Sequence, residues 1–371
     1  MGRPYALNTS RRGAPRYGAR LKEWKACLIR AAQSPAGRTK RKPLFVVSLL
    51  LTICVKMCRN IHTLLGVREK TQPPPGHTFR LVRWRNNQRE VEVVLSPQNS
   101  QKAIGEGAHW HYHPALELTL YRSGHGTRFV GDHIEPFAAG DLVLLGENLP
   151  HYRDVRGPSS GVALQWEFPV EHPFWMFPET GAVATCFKEA ERGIHYGGKA
   201  VARLTALLAD LENSSGVGQL AVFFQILTTI ATIPPSAKTF LSSQLFSLPN
   251  RSRHLSSIQA AIRYVVVNFR EEISLIDVLK VSHMSKPTFA RQFKKHSGKT
   301  LTQFIQQVRI AAACRELAAT DTPITEVGLQ NGFSDVSFFN RIFKRELGCA
   351  PSKYRATLQA RPAGGGSTGA A

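Results

Sequence analysis

Six cysteines are spread over 371 residues, and no two of them form a C-x-x-C pair. This rules out a disulfide framework and a structural zinc site, and it fits a reducing compartment. Long apolar runs are missing too. The one membrane-like stretch, "PLFVVSLLLTICV" at residues 43–55, is shorter than the roughly 20 residues a spanning helix needs. It follows "RTKRK", as a signal segment would, but it begins too late in the chain for an ordinary signal. Acidic residues are scarce at both ends. Residues 1–70 hold 2 acids against 16 Lys/Arg, and residues 251–371 hold 8 against 18; the middle is close to balance. The formal charge of +22 therefore sits at the ends. A basic terminal domain points to a polyanionic partner, most often nucleic acid.

What is present divides the chain into segments. Residues 1–76 are rich in Arg, Lys, Gly and Pro and close on "TQPPPGH", a stiff linker. They read as a disordered leader, and Met57 is a candidate downstream translation start. Residues 77–170 carry short β-like runs ("FRLVRW", "VEVVL", "LELTLYRSG", "DLVLLG", "VALQWEF") separated by turn signals, the pattern of an all-β sandwich or barrel. Residues 171–250 turn helical, as a linker and dimerisation segment. Residues 251–358 read as helix almost throughout, and residues 359–371 form a Gly-rich disordered tail.

The helical end contains a repeat. "SKPTFARQFKKHSG" from Ser285 and "DVSFFNRIFKRELG" from Asp335 align at an offset of 50, matching Phe289 to Phe339, Arg291 to Arg341, Phe293 to Phe343, Lys294 to Lys344 and Gly298 to Gly348. Each copy opens on an N-cap residue and ends on a glycine. At 100° per residue the phenylalanines face inward. Pro287, Arg291 and Lys294 face outward in the first copy, with Ala290 at the edge. Ser337, Arg341 and Lys344 do so in the second, flanked by Asn340. A short helix precedes each copy, which completes two helix-turn-helix units. "LTQFIQQVRIAAACRELAAT" joins them as a long amphipathic helix. A basic all-helical surface with no partner would also show one such pattern, but two in register are far more specific.

Residues 253–358 resemble the DNA-binding domain of the AraC family of bacterial transcription factors, most plainly in "ITEVGLQNGFSDVSFFNRIFKRELGCAPSKYR". Gly328 stands where alanine is more usual. Ala290 and Val336 stand where relatives often carry larger or polar base-reading residues, a departure that bears on which operator is read. The candidate DNA-binding set is Lys286, Pro287, Thr288, Ala290, Arg291 and Lys294, with Val336, Ser337, Asn340, Arg341 and Lys344.

The β segment holds "HWHYHPALE". On a strand, His109, His111, His113 and Glu117 would share one face. The wider stretch "GEGAHWHYHPALELTLYRSG" resembles the first cupin motif, with Gly105, His111, His113, Glu117 and Gly124 at its fixed points. "GDLVLLGENLPHYRDV" resembles the second less closely, keeping Gly140 and His151 while Gly146, Asn148 and Val155 replace its usual residues. That resemblance implies that His111, His113, Glu117 and His151 point into a barrel. Three readings compete: a metal-dependent enzyme fused to a DNA-binding module, an effector sensor, or structural polar residues. The AraC-type half favours the sensor. The expectation is a multidomain protein, an all-β cupin-like barrel followed by an all-α domain with two helix-turn-helix units. It would be a cytoplasmic, nucleoid-associated, non-enzymatic regulator of transcription. Its effector, a carbohydrate, would bind at His111, His113, Glu117 and His151, with no cofactor required and a divalent metal at the same four residues left open. The partners would be double-stranded DNA, the effector, RNA polymerase and a second copy of the chain, with no membrane.

Overall fold

The computed structural model describes residues 71–360, apart from residues 106, 247 and 249–253. The expectations for the leader up to residue 70 and for the tail beyond residue 360 lie outside the described residues. A sheet-rich part comes first and a helical part follows.

Seven strands form in sequence: β1 (Arg80–Trp84), β2 (Glu90–Ser96), β3 (Asn99–Ile104), β4 (Leu116–Val130), β5 (His133–Phe137), β6 (Leu142–Leu145) and β7 (His151–Trp166). Three helices follow, α1 (Gly181–Ala190), α2 (Lys199–Asn213) and α3 (Gly216–Thr232). They are interleaved with two short strands, β8 (Ile194–Tyr196) and β9 (Lys238–Phe240). These two strands belong to the stretch read as helical; three residues are too few to show a period. The sheet order is β3-β2-β1-β7-β4-β6-β8-β9, with β5 on β4.

β4 and β7 form the spine, paired from Leu116↔Trp166 to Val130↔His151. Register shifts around Ser123 split this ladder, and such irregularities let long strands bend. The sheet curves, yet it is not the closed barrel that was expected: among the described residues no pairing joins β3 to β9. β3 ends the ladder because its side chains are almost all exposed and mostly polar, a solvated edge.

Strand alternation sets the two faces. Leu116, Leu118 and Leu120 of β4, with Leu164 and Trp166 of β7, pack outward against Leu204, Leu208, Phe223 and Ile226 of α2 and α3. The intervening residues Glu117, Thr119, Tyr121, Ala163 and Gln165 turn to the concave side and line a pocket.

The helical part comprises α4 (Leu255–Asn268), α5 (Leu275–Ser282), α6 (Lys286–Ser297), α7 (Leu301–Ala319), α8 (Ile324–Gln330), α9 (Val336–Leu347) and α10 (Pro351–Gln359). Thr300 and Gln303 close a capping box at the start of α7. That helix runs through two cores. Phe304 and Val308 join Phe289 and Phe293, while Ile310, Ala313 and Leu317 join Phe339, Ile342 and Phe343. Gly328 fits the second core closely: a methyl there would lie 2.7 Å from Phe339 Cδ1, so glycine lets that ring close on α8. The first core is continuous with the sheet through Trp110, Phe129 and Ile134. Phe129 stacks on Phe304 at 5.9 Å, and Gln259 Nε2 donates to Trp110 O at 2.7 Å.

Candidate DNA-reading surface and ligand pocket

α6 and α9 are both twelve residues long, and each ends on a glycine at φ +72°, the left-handed stop that glycine adopts without strain. Asp335 caps α9 by accepting from the Phe338 amide at 2.7 Å. Ser285 holds the same place on α6 but bonds the Thr288 hydroxyl at 3.0 Å instead. In the first unit the turn between helices passes through His283 at φ +52°, a conformation that non-glycine residues seldom adopt. With Phe289, Phe293, Phe339 and Phe343 all buried, the opposite faces are left to solvent. Lys286, Pro287, Ala290, Arg291 and Lys294 are exposed on α6, and Ser337, Asn340, Arg341 and Lys344 on α9; Thr288 and Val336 are half-buried. The Arg341 guanidinium lies 5.3 Å from the centre of the Phe338 ring.

The histidine segment differs from its expectation. Residues 109–113 do not form a strand; the segment touches the sheet through one bridge, in which His111 and His151 exchange amide bonds of 3.0 and 2.9 Å. Pro114 has no amide to extend the pairing. Alternation therefore does not place His109 with the others. It lies on the far side of the segment, in a cleft against α4. Two details hold the remaining side chains. Gly105 passes so close to the Gln88 carbonyl that a Cβ would collide with it. Asn148, standing where the cupin motif has glycine, adopts φ +56°, which asparagine tolerates, and its amide bonds His113 O at 2.7 Å.

His111, His113 and His151 come together, with ligating nitrogens all within 4.8 Å of one another. Each Nδ1 meets a backbone carbonyl: His109 O at 2.7 Å, Ala115 O at 2.9 Å and Leu149 O at 2.8 Å, respectively. Such backbone bonds fix the orientation of an imidazole ring, as they do in metal-binding histidines. Glu117 lies one bond further out. It accepts from Gln165 Nε2 at 2.7 Å and from Thr119, and meets His113 Nε2 at 3.2 Å. Burial acts to raise the Glu117 carboxyl, but the His113 bond and the nearby imidazoles outweigh it and hold it well below the usual range. Burial, with His111 adding to it, holds His151 well below its ordinary value.

Four polar atoms on this concave side have no hydrogen-bond partner among the described residues: Trp84 Nε1, Tyr121 Oη, His151 Nε2 and Arg153 Nε. The cavity they border is about 50 Å3, room for a few waters at roughly 10–15 Å3 each. Arg153 was not foreseen, although it lies two residues beyond His151 and so on the same strand face. Its Nη2 bonds Asp141 Oδ2 at 3.1 Å, and Arg128 pairs with the other oxygen of that buried carboxylate.

Two adjacent helix-turn-helix units, both with their basic faces exposed, follow a sheet with a small polar cavity, and together they define a DNA-binding regulator. The comparisons specify which kind. A family described as "Helix-turn-helix domain" matches residues 278–357. The regulatory protein SoxS of Salmonella typhimurium is 31% identical over 105 residues, 28% of this chain and 98% of its own. The HTH-type transcriptional activator RhaS of Pectobacterium carotovorum is 24% identical over 280 residues, 72% of this chain and 93% of its own. Among solved structures, the DNA-binding domain of AdpA in complex with a target DNA is 28% identical, covering 29% of this chain and 98% of that one, with a TM-score of 0.28. The chain belongs to the AraC family of transcription regulators.

Proposed function

We propose that the protein is a cytoplasmic, sequence-specific activator of transcription that responds to a small molecule without turning it over. The exposed basic faces of α6 and α9 carry the first part of this reading. Each offers an arginine, whose planar fork suits guanine, and a lysine for phosphate. Relatives that match most of the chain are transcriptional activators, which supports activation; contact with RNA polymerase and action as a homodimer are part of the same proposal. No described helix is long and apolar enough to cross a membrane.

The effector site is the concave pocket of His111, His113, Glu117 and His151. The unpartnered polar atoms around it favour a hydroxyl-rich ligand, since buried polar groups in native proteins are nearly always bonded. A carbohydrate fits that chemistry and needs more than 50 Å3, so the cavity has to widen to admit it. The three clustered imidazoles also suit a divalent ion such as zinc, iron, manganese or nickel, with Glu117 adjacent.

Selection of bound duplexes from a random pool, with and without a panel of sugars, tests the reading. The expected result is one enriched sequence whose affinity shifts with one sugar, a shift lost in Glu117→Ala while basal binding persists. Elemental analysis of the purified chain and of His151→Ala reads the metal separately. A pool with no enrichment would overturn the regulator reading.

A further inference from the structure

Among the described residues the apolar cores of the two reading units are separate, and α7 is the element they share. The first core takes Phe304 and Val308 from that helix, and the second takes Ile310 and Ala313. Arg309 falls between Val308 and Ile310, where α7 passes from one core to the other. The residue is half-buried and reaches back to the loop after α4. Its Nε donates to Phe269 O at 2.7 Å and its Nη2 to Glu271 O at 2.8 Å. Carbonyls at a helix C-terminus lack partners within the helix and carry its negative end, so a cation suits them.

The second unit closes on the same place. Gly332, in the turn between α8 and α9, has φ +85°, and a Cβ there would stand 2.6 Å from Phe269 O, 2.9 Å from Arg270 O and 2.9 Å from Arg309 Nε. Glycine is needed twice over, for the left-handed backbone and for the close approach. The result is a seam of three pieces: the 269–271 loop of the first unit, the guanidinium from α7 and the Gly332 turn of the second unit. The last turn of α9 is tied to α7 as well. Gln307 Nε2 donates to Glu346 Oε2 at 2.8 Å, and Arg345 Nη2 to Gln306 Oε1 at 3.0 Å. Apolar packing is non-directional, so two separate cores alone would let the units swivel about α7. A planar fork bonded to two fixed carbonyls removes that freedom.

We propose that Arg309 is a positioning residue for DNA reading: the seam it closes fixes the angle between α6 and α9, and so the number of base pairs between the segments they read. This rests on the proposed entry of both helices into the major groove. Segments one turn apart lie about 10 base pairs from each other, and each added base pair turns the second by about 34° and moves it about 3.4 Å. Units locked to each other cannot follow that displacement. Units free to swivel about α7 follow part of it.

The test takes the duplex enriched from a random pool, with versions that have one base pair inserted or deleted between its two segments, and titrates each with the full chain. The parent should lose at least about tenfold on either change, since one helix is carried off its bases. Arg309→Met keeps the stem and removes the donors. It should lose less than about threefold on the same changes and bind the original spacing about fivefold more weakly, while its preference at each base within a segment stays that of the parent. Arg309→Lys, which can still donate to one carbonyl, should fall between the two. A duplex with one segment scrambled should bind the parent and Arg309→Met alike, because a single unit needs no fixed neighbour. An unchanged spacing profile in Arg309→Met overturns the proposal. So does a loss of single-segment binding in that variant, which would make Arg309 a folding residue. A parent that selects no two-segment site overturns the reading of DNA by both helices, and this inference with it.

Discussion

Replacing Arg291 or Arg341 by alanine tests the reading faces most directly, and the structure ranks the two. A bidentate contact to guanine is worth about 1–3 kcal/mol of discrimination. Arg341 begins stacked on Phe338, and turning to a base gives up about 0.5–1 kcal/mol of that contact. Arg341→Ala should therefore cost about 0–2.5 kcal/mol at the preferred site, and Arg291→Ala the full range of about 1–3. Both side chains are exposed, so unfolding free energies should stay within about 0.5 kcal/mol of the parent and a loss of affinity cannot be put down to misfolding. The assay is titration against the selected duplex and single-base variants of it, at several salt concentrations. Each arginine variant should relax preference at one base pair, the two positions lying about 10 base pairs apart. Lys344→Ala should weaken every duplex alike and lower the salt slope by about 0.9, one phosphate contact. If both arginine variants keep the parent's base preference, α6 and α9 do not read bases through these faces.

Two further perturbations probe what holds the sites in place. Asp141→Ala should destabilise the fold by about 3–5 kcal/mol in urea unfolding, because Arg128 and Arg153 would remain buried without their shared counter-charge; a loss under 1 kcal/mol would refute that role. His296 is fully buried, and burial, with Lys295 and His254 adding, pushes it from 6.5 down to about 4. Between those values the unfolded chain takes up a proton that the folded one refuses, so stability should fall by about 3 kcal/mol as pH drops from about 6.5 to 4. The fall should flatten in His296→Leu, measured as urea midpoints across that window.

The depth to which each region could be read follows the range of the interactions that form it. Both helix-turn-helix units were legible to the residue because their signals, a cap, two phenylalanines four apart and a closing glycine, lie within fourteen positions. Period-two alternation put Glu117 on one face with His111 and His113, and the cupin resemblance turned that face inward, where the cavity lies. The alternation failed at His109 because the period exists only where a partner strand supplies amide bonds, and the segment has one bridge, at His111. Locally, Asp141 is only the last residue of the turn signal "AAGD". Its burial between two arginines depends on β4 and β7 arriving from other parts of the chain.

The same reasoning explains why the junction of the two parts was invisible beforehand. Trp110 sits between His109, in the cleft, and His111, in the pocket, and its carbonyl takes the bond from Gln259, 149 residues away. No local pattern marks a residue for that position. Its consequence is mechanical. The peptide joining Trp110 to His111 is held at both its groups, the N–H by His151 O in the sheet and the carbonyl by Gln259 of α4, so a ligand that moves His111 by a fraction of an ångström strains the Gln259 bond. That bond is worth about 1 kcal/mol net, which is the scale of a fivefold change in DNA affinity. Gln259→Leu, which leaves Trp110 O without its donor, should therefore uncouple the effector response from DNA binding more than it alters either alone.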